Sequence, residues 1–165
     1  MGDFANLLSR NSTRREAKYI SWNNFSELKV PGNLFYPGPD FNKIAWQRRF
    51  VGEGAWSICG ITHTTSSAGV MDAIGEYYTG PVKSWDALIC TSNSVKENVD
   101  FMLENKKKYL MDEMGLRIFT GPKLPVIPLG INSKEFVFSK NDKAKARNAL
   151  KIDKNSVVIV YVGRL

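Results

Sequence analysis

The stretch Gly60–Ile61–Thr62–His63–Thr64–Thr65 sets one imidazole among three threonine hydroxyls, directly behind the largely apolar run Ala55–Cys59. An imidazole is the side chain best suited to move a proton near neutral pH. The hydroxyls of Thr62 and Thr64 can donate to and accept from a polar ligand, and Gly60 lets another backbone come close. Thr91, Ser92 and Ser94 follow a second apolar run, Ala87–Cys90. Hydroxyls there suit a helix cap, and a helix N-terminus also suits an anion. Two further places qualify. In "PLGINSKEF", Gly130 and Asn132 allow unusual backbone angles, and Gly163 and Arg164 close the apolar run Val157–Val162. In open α/β sheets, phosphate-binding loops begin at such strand ends.

These residues share one expected location, the C-terminal ends of parallel strands. Strands are read at Asn33–Tyr36, in "AWSICGIT", in "WDALICTS", in "KLPVIPLGI" and at Val157–Val162, the last as a buried strand. Helices are read between them. Asp40 caps "FNKIAWQRRFV", on which Phe41, Ile44 and Ala45 share a face, with Arg48 and Arg49 near its end. A second helix starts after Ser66 or Ser67. Ser92 or Ser94 opens a third, from about Asn93 to Met114, with Ser94 and Glu97 at capping-box spacing and Gly115 as its stop. A basic helix, "NDKAKARNALK", is capped by Asn141 or Asp142. Alternating strands and helices predict an α/β fold with a parallel, doubly wound, Rossmann-like sheet.

Composition narrows the chemistry. The 165 residues are 43% hydrophobic and carry a net charge of +7, which suits a folded domain with a moderately basic surface. No run approaches the roughly 18 apolar residues of a membrane span, and the first residues lack a signal-peptide pattern, so a cytoplasmic protein is expected. Cys59 and Cys90 read as buried free thiols in adjacent strands. One histidine and two cysteines in this spacing predict no metal site. The clusters Arg14–Arg15–Lys18, Arg48–Arg49, Lys106–Lys108 and Lys143–Lys145–Arg147 read as solvated helix faces, suited also to an anionic membrane surface. No nucleic-acid motif accompanies them. A nucleophile elbow, a P-loop and a dinucleotide fingerprint are all missing, which argues against a triad hydrolase, an ATPase and a nicotinamide dehydrogenase.

The order "GITHT", "WDALICTS", "VIPLGINSKEF", "ARNALKI" and "VVIVYVGRL" resembles the family 4 glycosyltransferases of the two-lobed GT-B fold, over about residues 33–165. The resemblance implies a retaining transfer of a sugar from a nucleotide-sugar donor to a glycan, lipid or small-molecule acceptor, without metal or other cofactor. It places His63 near the transferred sugar and Gly163 and Arg164 on the donor diphosphate; Thr62, Thr64, Ser92, Gly130 and Asn132, from their strand-end and loop positions, are expected to line the substrate cleft. It divides the chain into an unassigned segment 1–32, a partial acceptor lobe 33–128, a hinge 129–140 and the start of a donor lobe 141–165. Pro128–Leu129–Gly130 stands where the family has Pro-Asn-Gly, and residues 1–32 show no glycine-rich acceptor loop. A chain that stops at the first donor-lobe strand is expected not to turn over donor by itself. The competing expectation is a non-catalytic Rossmann-like module that binds an acceptor or a partner protein.

Overall fold

The structure is a computed structural model that describes residues 19–21, 23–62 and 64–163. Its centre is a parallel sheet of three strands in the order β1-β2-β3: Asn33–Phe35, Ser57–Ile61 and Ala87–Ile89. Leu34 sits beside Ile58, and Gly60 beside Leu88. The period of two in β-structure then sends Leu34, Ile58, Gly60 and Leu88 to one face. Ile58 and Leu88 are fully buried there, beneath the helices. A Rossmann-like α/β architecture is therefore present in its generic form.

Residues 123–127 lie parallel to β3 and extend the sheet without becoming a regular strand. Lys123 and Ile127 donate their N–H groups to Asp86 and Cys90, and Leu88 and Cys90 donate back to Lys123 and Pro125, all at 2.8–2.9 Å. The next rung would need an N–H from Pro125 to Leu88. Proline has none, and the ladder is reduced to two isolated bridges.

Helix α1 (Asn42–Val51) follows β1, α2 (Ala68–Gly75) follows β2, and α3 (Asn93–Met114) follows β3. Strands laid down in chain order, joined by right-handed crossovers, put their helices on one side. The contacts agree: Asn42 Nδ2 on α1 donates to the Ala73 carbonyl on α2 at 2.8 Å, and α2 packs on α3. These three helices form one layer rather than the two layers of a doubly wound sheet. On the opposite face Phe35 is 55% exposed, and Cys59, Ile61, Ala87 and Ile89 are only half-buried.

The apolar face of α1 is Phe41, Ile44 and Ala45, and Arg48 falls on that same face at the i, i+3, i+4, i+7 spacing. Arg48 is fully buried, which corrects the expectation of a solvated basic face at this position. Its two terminal nitrogens meet the two carboxylate oxygens of the equally buried Asp86 at 2.6 and 2.8 Å. They also donate to the carbonyls of Trp56 and Pro81, at 2.9 and 3.0 Å. Asp86 in turn accepts from the N–H groups of Ile58 and Lys83, at 2.9 and 2.8 Å.

A separate compact unit begins at Gly130. It holds a short 3-10 turn at Ser133–Phe136 and helix α4 (Lys140–Ala149). Ser139 caps α4 in a reciprocal box with Asp142, so the expected cap at Asn141 or Asp142 moves to Ser139. Val157–Val162, expected as a buried strand, forms no regular strand and is exposed, Ile159 to 94%. An extended apolar segment becomes a strand only with a neighbour for its ladder, and none lies beside it among the described residues.

Removing one member of the buried ion pair strands the other in the core, which costs about 3–5 kcal/mol. We expect Asp86→Ala to destabilise the first unit by at least that much, and Arg48→Met by less. Asp86→Ala also orphans the Ile58 and Lys83 amides, whereas Arg48→Met orphans the Trp56 and Pro81 carbonyls, and an unpaired carbonyl is better tolerated than an unpaired N–H. Urea unfolding of both variants measures the difference, and a loss under ~1 kcal/mol for Asp86→Ala would refute the assignment.

Candidate functional site

At the C-terminal edge of the sheet, Tyr36 prolongs β1 by donating its N–H to the Cys59 carbonyl at 2.9 Å. The Pro37–Gly38–Pro39–Asp40 turn then folds over the end of β2, where Ile61 N–H reaches the Gly38 carbonyl at 3.3 Å. Gly60 makes this crossing possible. A methyl group on it would lie 2.5 Å from the Phe41 ring and 2.7 Å from the Gly38 oxygen. The Phe41 ring stacks on Tyr77 with centroids 4.9 Å apart, and the buried Tyr77 hydroxyl donates to the Pro39 carbonyl. Burial, reinforced by the negative charge of Asp40, pushes the Tyr77 phenol far above its ordinary range.

Asp40, expected to cap α1, does not. Phe41 occupies the cap position, with no side-chain hydrogen bond to the helix. Asp40 Oδ2 instead accepts from the Tyr36 hydroxyl at 3.3 Å. The Tyr36 phenol is shifted upward, first by partial burial and then by that carboxylate. A phenol and an exposed carboxylate thus sit together at the mouth of the edge.

Beyond β2, Thr62 is completely buried. Its N–H and its hydroxyl both donate to the Ile89 carbonyl, at 2.9 and 3.0 Å, tying the end of β2 to β3. Thr64 and Ser66 share a hydroxyl–hydroxyl bond of 2.8 Å in an exposed turn, and Thr65 accepts from Asn98 Nδ2 at 2.6 Å. Ser92 is the N-cap of α3, its hydroxyl accepting from Val95 N–H at 3.1 Å, so the capping role expected of Ser92 or Ser94 falls to Ser92. Helix α3 ends at Gly115 in the left-handed conformation.

Tyr36, Asp40, Thr62 and Ser92 thus follow the C-terminal ends of β1, β2 and β3, with Thr64 and Ser66 in the turn after β2. Asn132 belongs to the second unit, where its side-chain amide donates to Glu135 Oε1 at 2.7 Å. Gly130 and Gly163 also lie there, and neither adopts a positive φ. His63 and Arg164 fall outside the described residues. Both thiols are free; Cys90 is buried, Cys59 half-buried, and desolvation raises both. Among the described residues no group of three potential ligands is placed to hold a metal ion, and no helix is long and apolar enough to cross a membrane.

Tyr77 and Tyr36 carry no motif and sequence reasoning passed over them, whereas Asp40 was read as a helix cap rather than as a ligand group. The available signal was the turn itself, since two prolines around Gly38 fix a chain direction that some neighbour must anchor. No protein-family model, curated protein or solved structure matches this chain.

Two outcomes follow from this geometry. Gly60→Ala forces the Pro-Gly-Pro turn off the sheet and should cost about 1–3 kcal/mol, as overpacking does; an unchanged unfolding midpoint would contradict the close crossing. Deprotonating Tyr77 is harder in the folded chain than in the unfolded one, where its pKa is 10.0. Its share of stability is therefore complete below that value and is lost as pH rises above it. Tyr77→Phe should be less stable near neutrality by about 1 kcal/mol for the lost hydrogen bond, yet decline less steeply in alkali. Denaturant unfolding at neutral and alkaline pH tests this, and equal slopes would rule it out.

Proposed function

We propose that this chain is the acceptor-binding part of a GT-B-type glycosyltransferase, with the beginning of its donor lobe after the hinge. On this reading the enzyme transfers a sugar from a nucleotide-sugar to a hydroxyl of a glycan, lipid or small molecule. The observation that carries the reading is the edge just described. It gathers hydroxyls, a phenol and a carboxylate at the ends of parallel strands, the usual ligand side of such sheets. Asp40 and the Tyr36 hydroxyl can hydrogen-bond the vicinal hydroxyls of a sugar, and the Tyr36 ring offers an apolar surface beside them. His63 is assigned to the neighbourhood of the transferred sugar, and Arg164 with Gly163 to the donor diphosphate, where a guanidinium offsets leaving-group charge. Thr62 and Ser92 would support this edge from behind, because their hydroxyls are already bonded to Ile89 and Val95.

That commitment also favours a second reading, a non-catalytic module that binds an acceptor or a partner. The two readings separate in one experiment. The chain, alone and joined to its coding-frame continuation where one exists, is incubated with radiolabelled nucleotide-sugars and a panel of glycan and lipid acceptors. Transfer that falls at least a hundredfold in His63→Ala, with acceptor binding retained, is the expected result. Acceptor binding indifferent to His63→Ala, with no transfer in either form, would overturn the transferase and leave the binding module.

A further inference from the structure

Helix α4 presents Lys140, Lys143, Ala144 and Arg147 along one face, at spacings of three and four residues. With Asn148 and Lys154 they line a cleft of about 300 Å³. The chain after α4 makes the other side. Lys151 turns into the left-handed region (φ 54°), rare for a side-chain-bearing residue, and Ile152 N–H returns to the Arg147 carbonyl at 2.9 Å. Arg147, half-buried, holds the reversed segment by donating to the carbonyls of Asp153 and Ser156. The loop thus carries Lys154 back toward the helix face.

A solvated basic helix face ordinarily neutralises itself. On α3, Lys96 pairs with Asp100 and Lys107 with Glu104, one turn away. Helix α4 has no acid three or four residues from Lys140, Lys143 or Arg147, and among the described residues none of the three cleft lysines has an ion-pair partner. The two nearby carboxylates are engaged in their own turns, Asp142 with Ser139 and Asp153 with the Asn155 amide. Like charges at such spacings destabilise a helix. A fixed loop that adds one more cation increases that repulsion.

We propose that this cleft binds a compact phosphate group, as a phosphate monoester or a pyrophosphate. Four cationic side chains around a small volume match a multiply charged anion better than a carboxylate, and the oxygens of a phosphate can accept from several of them at once. The source is either a soluble phosphorylated metabolite or the headgroup of a phosphorylated lipid. The inference stands apart from the transferase reading, since it uses none of the residues assigned to sugar transfer.

The test is calorimetric titration of the purified chain with inorganic pyrophosphate, followed by sedimentation with phosphatidylcholine vesicles carrying a minor fraction of phosphatidylinositol monophosphate. Saturable pyrophosphate binding is expected. Lys143→Glu and Lys154→Glu should each weaken it at least about tenfold. Lys145→Glu, the same charge change on the opposite side of α4, should leave it within about twofold, with circular dichroism unchanged in all three. Phosphoinositide vesicles that bind more tightly than phosphatidylserine vesicles of equal charge, and release the chain to pyrophosphate, identify a headgroup. Pyrophosphate binding with no such vesicle preference identifies a soluble ligand. Absence of saturable binding to either probe overturns the proposal, and so does a loss in Lys145→Glu as large as in Lys143→Glu.

Discussion

Arg48 and Asp86 bury two full charges where the sheet begins, and the rest of the first unit is registered against them. Desolvating such a pair is costly, and attraction offsets the cost only when the remaining donors and acceptors are filled. They nearly are. The guanidinium terminus serves Asp86 and the carbonyls of Trp56 and Pro81, the carboxylate also serves the amides of Ile58 and Lys83, and of Arg48 only Nε lacks a partner. These atoms belong to α1, the entry to β2, the loop before β3 and the entry to β3 itself. A core of Ile44, Ala45, Ile58 and Leu88 alone resists a one-residue slip, which turns a strand's buried residues to the other face, but discriminates less well against a slip of two. The ion pair fits a single register, so it fixes which residues emerge at the far ends of the strands.

Those far ends then follow from small steric facts. Gly60 leaves room for the turn after β1 to cross β2, Phe41 fills that room, and Tyr77 clamps the turn through Pro39. Asp40 is thereby drawn away from α1 toward Tyr36. The carboxylate stays at the edge because the helix it precedes is left without a side-chain cap. Local helix stability has been exchanged for a polar mouth, a conflict between local and global preference of the kind that marks functional positions.

The strands and helices of the first unit were legible because their patterns are strong: short apolar runs closed by a Pro-Gly turn or by Ser and Thr, and a long helix between Ser92 and Gly115. Arg48 was legible in principle, since it shares a face with Phe41, Ile44 and Ala45. It was misread because its neighbour Arg49 is exposed and the two resemble one basic patch. The partner, Asp86, lies 38 residues away, and no local pattern announces a long-range charge pair. The strand expected near Lys123 was half right, its alternation real but one rung removed by Pro125. At Val157–Val162 composition reported strand propensity correctly. Propensity for a pleated surface nevertheless becomes a strand only when a second strand supplies the ladder.

Sheet order also constrains what the polar edge can be. In a doubly wound sheet, helices diverge to opposite faces where the strand order reverses, and that divergence opens a crevice. Here β1, β2 and β3 run in chain order with α1, α2 and α3 in one layer, so these strands provide no such reversal. Any binding surface at this edge must be shaped by its loops, the Pro37–Asp40 turn and the Thr64–Ser66 turn above all. The first is clamped by Tyr77 and Gly60, whereas the second rests on the exposed Thr64–Ser66 bond and the Asn98–Thr65 bond from α3. Recognition through Tyr36 and Asp40 would then be preorganised, while the Thr64–Ser66 turn takes its tie to the helix layer from Asn98 on α3.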